Sequence, residues 1–155
     1  MKRALVIAVA AVLVVFFAYG ITAGAAKEQK VTITMTDFKF TPALITLQSG
    51  VPAEIVLVNK GAVEHEFMVY KTPAGKIKDW DEYIMPNTYF KDMGEVEGEF
   101  EGIGAVAGTS VFEVEVMKGK TAELKFTPTR KGTFEMGCHV EGHYEAGMKG
   151  VLVVK

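Results

Sequence analysis

Cysteine is almost absent from this chain: Cys138 is the only one in 155 residues. Disulfides within the chain are therefore excluded, and so are a Cys-x-x-Cys redox pair and any cluster held by several thiolates. Histidine is scarce as well, with His65, His139 and His143 the full set. Basic residues are few and scattered. The 17 Lys and Arg stand against 19 Asp and Glu, which excludes the clustered positive surface that nucleic-acid binding requires. Internal repeats and low-complexity tracts are lacking. Long hydrophobic runs are lacking too, with the exception of Ala4 to Ala26.

That exception reads as a targeting segment. Met1-Lys2-Arg3 gives a short positive start, an apolar stretch follows, and Ala23-x-Ala25 or Gly24-x-Ala26 fits a small-residue cleavage pattern. Residues 1–26 are thus expected to be a cleaved signal peptide or, since the stretch is long enough to span a bilayer, a retained N-terminal anchor. Either reading places residues 27–155 outside the cytoplasm, in a periplasm or on the outer face of the cytoplasmic membrane. Membrane association is expected only if residues 4–26 are retained. An exported chain with one unpaired thiol is unusual. A free thiolate there climbs the oxidation ladder unless something, such as a bound metal, shields it.

The remainder alternates with the period of β-strands. Val31, Ile33 and Met35 alternate with threonines, and Phe38 and Phe40 continue on the other parity, which predicts a bulge or bend near Asp37. Ala53 to Asn59 is a dense apolar run. His65, Phe67 and Val69 share one face, as do Phe112, Val114 and Val116, then Leu124 and Phe126, then Phe134, Met136 and Cys138. About seven short strands separated by turn signals predict an all-β Greek-key sandwich over residues 27–155. Residues 71–110 break the rhythm, and connections in compact domains have a median of about 4–6 residues. The segment is expected to be a charged insertion covering the sandwich as a lid or docking surface, removable without loss of the fold. Met35, Met68, Met117 and Met136 are expected as core filler.

The chemistry concentrates in Gly137-Cys138-His139-Val140-Glu141-Gly142-His143-Tyr144-Glu145-Ala146-Gly147-Met148. It contains Cys-x4-His-x4-Met. A thiolate, an imidazole and a thioether so close together are ligand types that select copper over hard cations. Gly142 and Gly147 allow the tight turns that bring each following side chain back to one point. A fourth ligand must come from elsewhere, and His65 on an inward strand face is the candidate. His139 is the ambiguity: it adjoins Cys138, but consecutive strand residues face opposite sides. A two-copper centre bridged by two loop cysteines is excluded.

These residues resemble the cupredoxin family of type 1 blue-copper proteins, which includes plastocyanin, azurin, auracyanin, sulfocyanin and rusticyanin. The family has an upstream strand histidine and a Cys–His–Met loop before its last strand. The resemblance covers roughly residues 31–70 and 111–155. Glu141 stands where many members have a proline two residues before the loop histidine. By this resemblance one copper ion is held by His65, Cys138, His143 and Met148, a backbone N–H near Asn59 or Lys60 donates to the cysteine sulfur, and the chain is an electron carrier, not an enzyme. Redox partners such as cytochromes or oxidases are expected to dock near His143, on a patch of Gly142, Tyr144, Ala146 and Gly147. Rival readings are copper trafficking or storage, and a non-blue copper site performing redox catalysis through Glu64, Glu66 or His139.

Overall fold

The computed structural model describes residues 27–155 apart from 92, 95, 101–103, 109 and 110; for residues 100 and 104–108 it describes the backbone alone. Residues 1–26, expected to be a targeting segment, lie outside the described residues. No helix among the described residues is long and apolar enough to cross a membrane.

Two sheets face each other. The first runs in the order β2(Lys39–Thr41), β1(Gln29–Thr36), β4(Ala53–Asn59), β9(Thr121–Phe126), β6(Val96–Phe100), β7(Gly104–Gly108). The second runs β3(Leu44–Leu47), β11(Lys149–Val154), β10(Gly132–Gly137), β5(His65–Lys71), β8(Val114–Val116). β1 pairs parallel with β4, and β3 pairs parallel with β11; every other strand pairing is antiparallel. This is the expected β-sandwich. Its core forms where the alternating apolar residues of the two inner faces meet: Ile33, Met35, Leu57 and Leu124 from one sheet, Phe67, Val69, Met136 and Leu152 from the other.

Of the bulge or bend expected near Asp37, the structure shows a full reversal of the chain. β1 and β2 form a hairpin in which Thr36 pairs with Lys39, so Asp37 and Phe38 are its two-residue loop. The chain reverses there, which restores Phe40 to the buried face. Met117 is corrected. It is 44% exposed, whereas Met35, Met68 and Met136 are buried as expected.

The larger correction concerns residues 71–110, which are built into the sandwich and do not merely cover it. β6 pairs with β9 and extends the first sheet, and β7 pairs with β6. Tyr89, Phe90, Met93 and Val96 belong to the main core. Arg130 fastens this stretch by donating to the carbonyls of Thr88 and Tyr89, with its guanidinium over the Tyr89 ring. Helix α1(Trp80–Asn87) starts at Asp79, whose carboxylate accepts the Glu82 N–H at 3.0 Å, and Pro86 lies in its final turn. The helix covers the outer face of β5. There Met68, Tyr70 and Ile84 form a second buried cluster with Trp80, Tyr83 and Phe112 packed against it. From Phe67 to Tyr70 β5 is therefore buried on both faces, and His65 starts a strand with little freedom to move.

Phe90→Ala should accordingly lower unfolding stability by about 3–5 kcal/mol, the cost of an emptied core phenylalanine. Substituting the exposed neighbour Lys91 by Ala should change it by less than about 0.5 kcal/mol. Urea denaturation followed by fluorescence checks both. A near-neutral Phe90→Ala would restore the reading of residues 71–110 as a cover.

Candidate metal centre

Cys138 follows the last residue of β10, and β10 is held between β5 and β11. The loop after it closes on itself. His143 N–H donates to the Val140 carbonyl at 2.9 Å, Met148 N–H donates to the His143 carbonyl at 2.9 Å, and Cys138 N–H donates to the Met148 carbonyl at 3.1 Å. Gly142 and Gly147 take φ of 78° and 106°. That left-handed backbone is open to glycine and costly for most side chains. The two glycines thus produce the folded loop that the spacing predicted.

The geometry brings three of the four expected ligands into one group. His65 Nδ1 and His143 Nδ1 lie 3.3 Å apart, and Cys138 Sγ lies 3.9 Å from the former and 3.4 Å from the latter. The point equidistant from these three atoms is about 2.1 Å from each, the length of a metal–nitrogen bond and within about 0.2 Å of a metal–sulfur bond. Met148 is fully buried in the same core cluster as Cys138. His65 and Cys138 are 0% exposed and His143 is 7% exposed. The donors are soft or borderline, uncharged as imidazole and thioether, and thiolate on losing one proton. This set fits copper.

The electrostatics agree. Burial, and then the nearness of His143, push the His65 pKa down, with Asp37 acting weakly against them. His65 therefore stays neutral, the form that binds a metal. Burial pushes the Cys138 thiol up, the N–H groups of Glu66 and Val140 pull it down, and the Glu66 and Glu64 carboxylates push it up. A cation entering the site must displace that thiol proton. The sulfur's hydrogen-bond donor differs from the one expected. It is the N–H of Glu66, at 3.4 Å. The N–H groups of Asn59 and Lys60 are committed to the carbonyls of Lys120 and Met35. Asn59 contributes instead through its side chain, which binds the carbonyls of Val63 and Val116 and the N–H of Gly61, shaping the loop before His65.

His139 turns away from this group. Its Nε2 lies 2.9 Å from the Tyr70 hydroxyl, and its ring stacks on Tyr144 and packs 4.3 Å from Trp80. Burial lowers its pKa to about 4. Glu66 is likewise occupied, its carboxylate accepting the His139 N–H at 3.0 Å. Two contacts were not foreseen. Asp37 Oδ1 lies 3.4 Å from His65 Nε2, and Phe38 meets the His143 ring edge-on at 5.2 Å between centroids.

Just before β8, burial, then the Glu115 side chain and the charges of Glu66 and Asp81, raise the Glu113 pKa to about 7. In the unfolded chain Glu113 loses its proton near its ordinary value of 4.5, whereas the folded protein keeps it to higher pH. Stability attributable to this proton is present at low pH and lost as pH rises through about 7. Glu113→Gln should therefore raise the thermal midpoint at pH 8 and leave it unchanged at pH 4. Parallel melts across that range check the sign, and an equal shift at both ends would contradict it.

A family model described as "Cupredoxin-like domain" matches residues 8–87. The chain is similar to "Copper-resistant cuproprotein CopI" of Rubrivivax gelatinosus, 33% identical over 139 residues, covering 88% of this chain and 73% of that protein. The protein of the same description from Pseudomonas aeruginosa is 28% identical over 153 residues, covering 89% and 83%. Among solved structures, auracyanin A, a "blue" copper protein from Chloroflexus aurantiacus, superposes with a TM-score of 0.58 at 19% identity, covering 83% of this chain and all of the other.

Proposed function

Because the chain belongs to the cupredoxin-like domain family, we propose that it is an exported carrier of single electrons, using one copper ion held by His65, Cys138, His143 and Met148. The observation that carries this reading is the buried triangle of two Nδ1 atoms and one Sγ, with sides of 3.3, 3.4 and 3.9 Å. Copper supplies a one-electron couple when bound. The chain's part is to present donors acceptable to both oxidation states in a frame that does not rearrange. β5 and β10 fix His65 and Cys138, the glycine turns fix His143 and Met148, and the Glu66 N–H tunes the sulfur. Protein side chains fill all four positions in this assignment, leaving none for a substrate, which favours a carrier over an enzyme.

A second reading has its own support. The relatives at 33% and 28% identity are described as copper-resistant cuproproteins, which suits a protein that captures or passes on copper. Export follows from the reading of residues 1–26 as a targeting segment.

Copper-loaded protein should absorb intensely in the visible through thiolate-to-copper charge transfer, and Cys138→Ser should abolish the band. A band surviving in that variant would refute the assignment. Challenge with a Cu(I) chelator then separates the two functions. An electron carrier keeps its copper through repeated redox cycles, whereas a trafficking protein surrenders it on reduction.

Docking of redox partners is assigned to the surface over His143. Gly142, Ala146 and Gly147 are exposed there and Phe38 is 49% exposed beside it. Ala146→Lys should leave the visible spectrum unchanged and slow electron self-exchange at low salt, because two equal charges would have to meet. NMR line broadening of mixed oxidation states measures this. Equal rates at low salt would show that electrons pass elsewhere.

A further inference from the structure

The β1–β2 hairpin loop reaches both histidines from outside their own strand and loop. Asp37 Oδ1 accepts the Ala62 N–H at 2.9 Å and stands 3.4 Å from His65 Nε2. That nitrogen is fully buried and has no hydrogen-bond partner of good geometry; the Asp37 side-chain oxygen is the group that faces it. The space in which they meet exists because residue 61 is glycine: a Cβ there would collide with both His65 Nε2 and Asp37 Oδ1. The next residue, Phe38, has φ of 63° and is the only non-glycine residue with positive φ among those described. A bulky aromatic is costly in that conformation, and such strain concentrates where a side chain must be aimed. The side chain it aims is half exposed, yet its ring sits edge-on against His143.

We propose that Asp37 and Phe38 form a two-residue clamp that positions the two histidines of the metal centre. Asp37 holds the proton of His65 on Nε2, which leaves the Nδ1 lone pair facing Cys138 and His143. Phe38 braces the His143 ring on its solvent side. The proposal rests on the assignment of these histidines as copper ligands. A carboxylate behind a ligating imidazole fixes its tautomer and raises its basicity.

The first test needs no metal. Nitrogen-15 NMR of the metal-free protein should show His65 protonated on Nε2. Asp37→Ala should give a mixture of tautomers, and Asp37→Asn, which keeps an acceptor oxygen, should retain the single form. An unchanged tautomer in Asp37→Ala would overturn the Asp37 arm. With copper, Asp37→Ala should weaken Cu(II) binding about tenfold or more. A tenfold loss confined to Cu(II) reads as a potential about 59 mV higher. Unaltered affinity and potential in Asp37→Ala beside a wild type with its visible band would overturn the proposal and leave the copper assignment standing. A wild type without that band would refute the copper assignment, while the tautomer measurement would still decide what Asp37 does. Phe38→Asn places a residue that tolerates left-handed backbone in the turn. It should melt at the same temperature or higher, yet release copper to a chelator severalfold faster. A lower melting temperature, or an unchanged release rate, would overturn the Phe38 arm.

Discussion

Everything in this structure follows from holding two imidazoles and a thiol together where water does not reach. Their ligand atoms all lie within 4.8 Å of one another, and all three residues are buried. Burying polar groups without good partners costs free energy, so the surroundings must hold them in place. The sandwich does this by making each donor the continuation of a rigid element. His65 opens β5, Cys138 follows β10, and the pairing of Met68 with Gly137 sets the two strands side by side. Gly137 itself is close-packed: a Cβ there would collide with the Tyr70 hydroxyl and crowd His139.

Why the candidate ligands were legible in the sequence and other parts were not comes down to distance along the chain. Cys138, His143 and Met148 lie in one loop, so their spacing and the two glycines expressed the geometry directly. His65 needed only one further inference, that an inward strand face aims at the same core. The Asp37–His65 contact carries no local signal, because an aspartate in a hairpin turn is ordinary. The sulfur's donor was misplaced for a similar reason. Backbone N–H groups look alike in sequence, and only strand register shows that those of Asn59 and Lys60 are already used.

Residues 71–110 show a signal that was present and outweighed. Glu97 and Glu99 alternate with Val96 and Gly98, and in the structure the glutamates are exposed while Val96 and Gly98 are buried. That is the period of a half-buried strand. Its charge density suggested surface. An edge extension of a sheet shows one face to water, so charge on alternate residues is what such a strand should carry. Tyr89 and Phe90 were equally informative, since adjacent large aromatics are costly to leave in solvent.

The insertion also resolves the ambiguity at His139. Consecutive residues of an extended chain point to opposite faces, so Cys138 and His139 serve different environments. Cys138 enters the core between the sheets. His139 enters the layer between the second sheet and α1, where Trp80, Tyr70 and Tyr144 surround it and the Tyr70 hydroxyl meets its Nε2. Tyr70 and Tyr144 in turn both donate to the Glu135 carboxylate, so the pocket is closed by hydrogen bonds as well as rings. A histidine held in this way cannot swing round to compete with His65 or His143. Helix α1 therefore helps to keep His139 apart from His65 and His143 by supplying Trp80, although no residue of the helix lies within the His65–Cys138–His143 group.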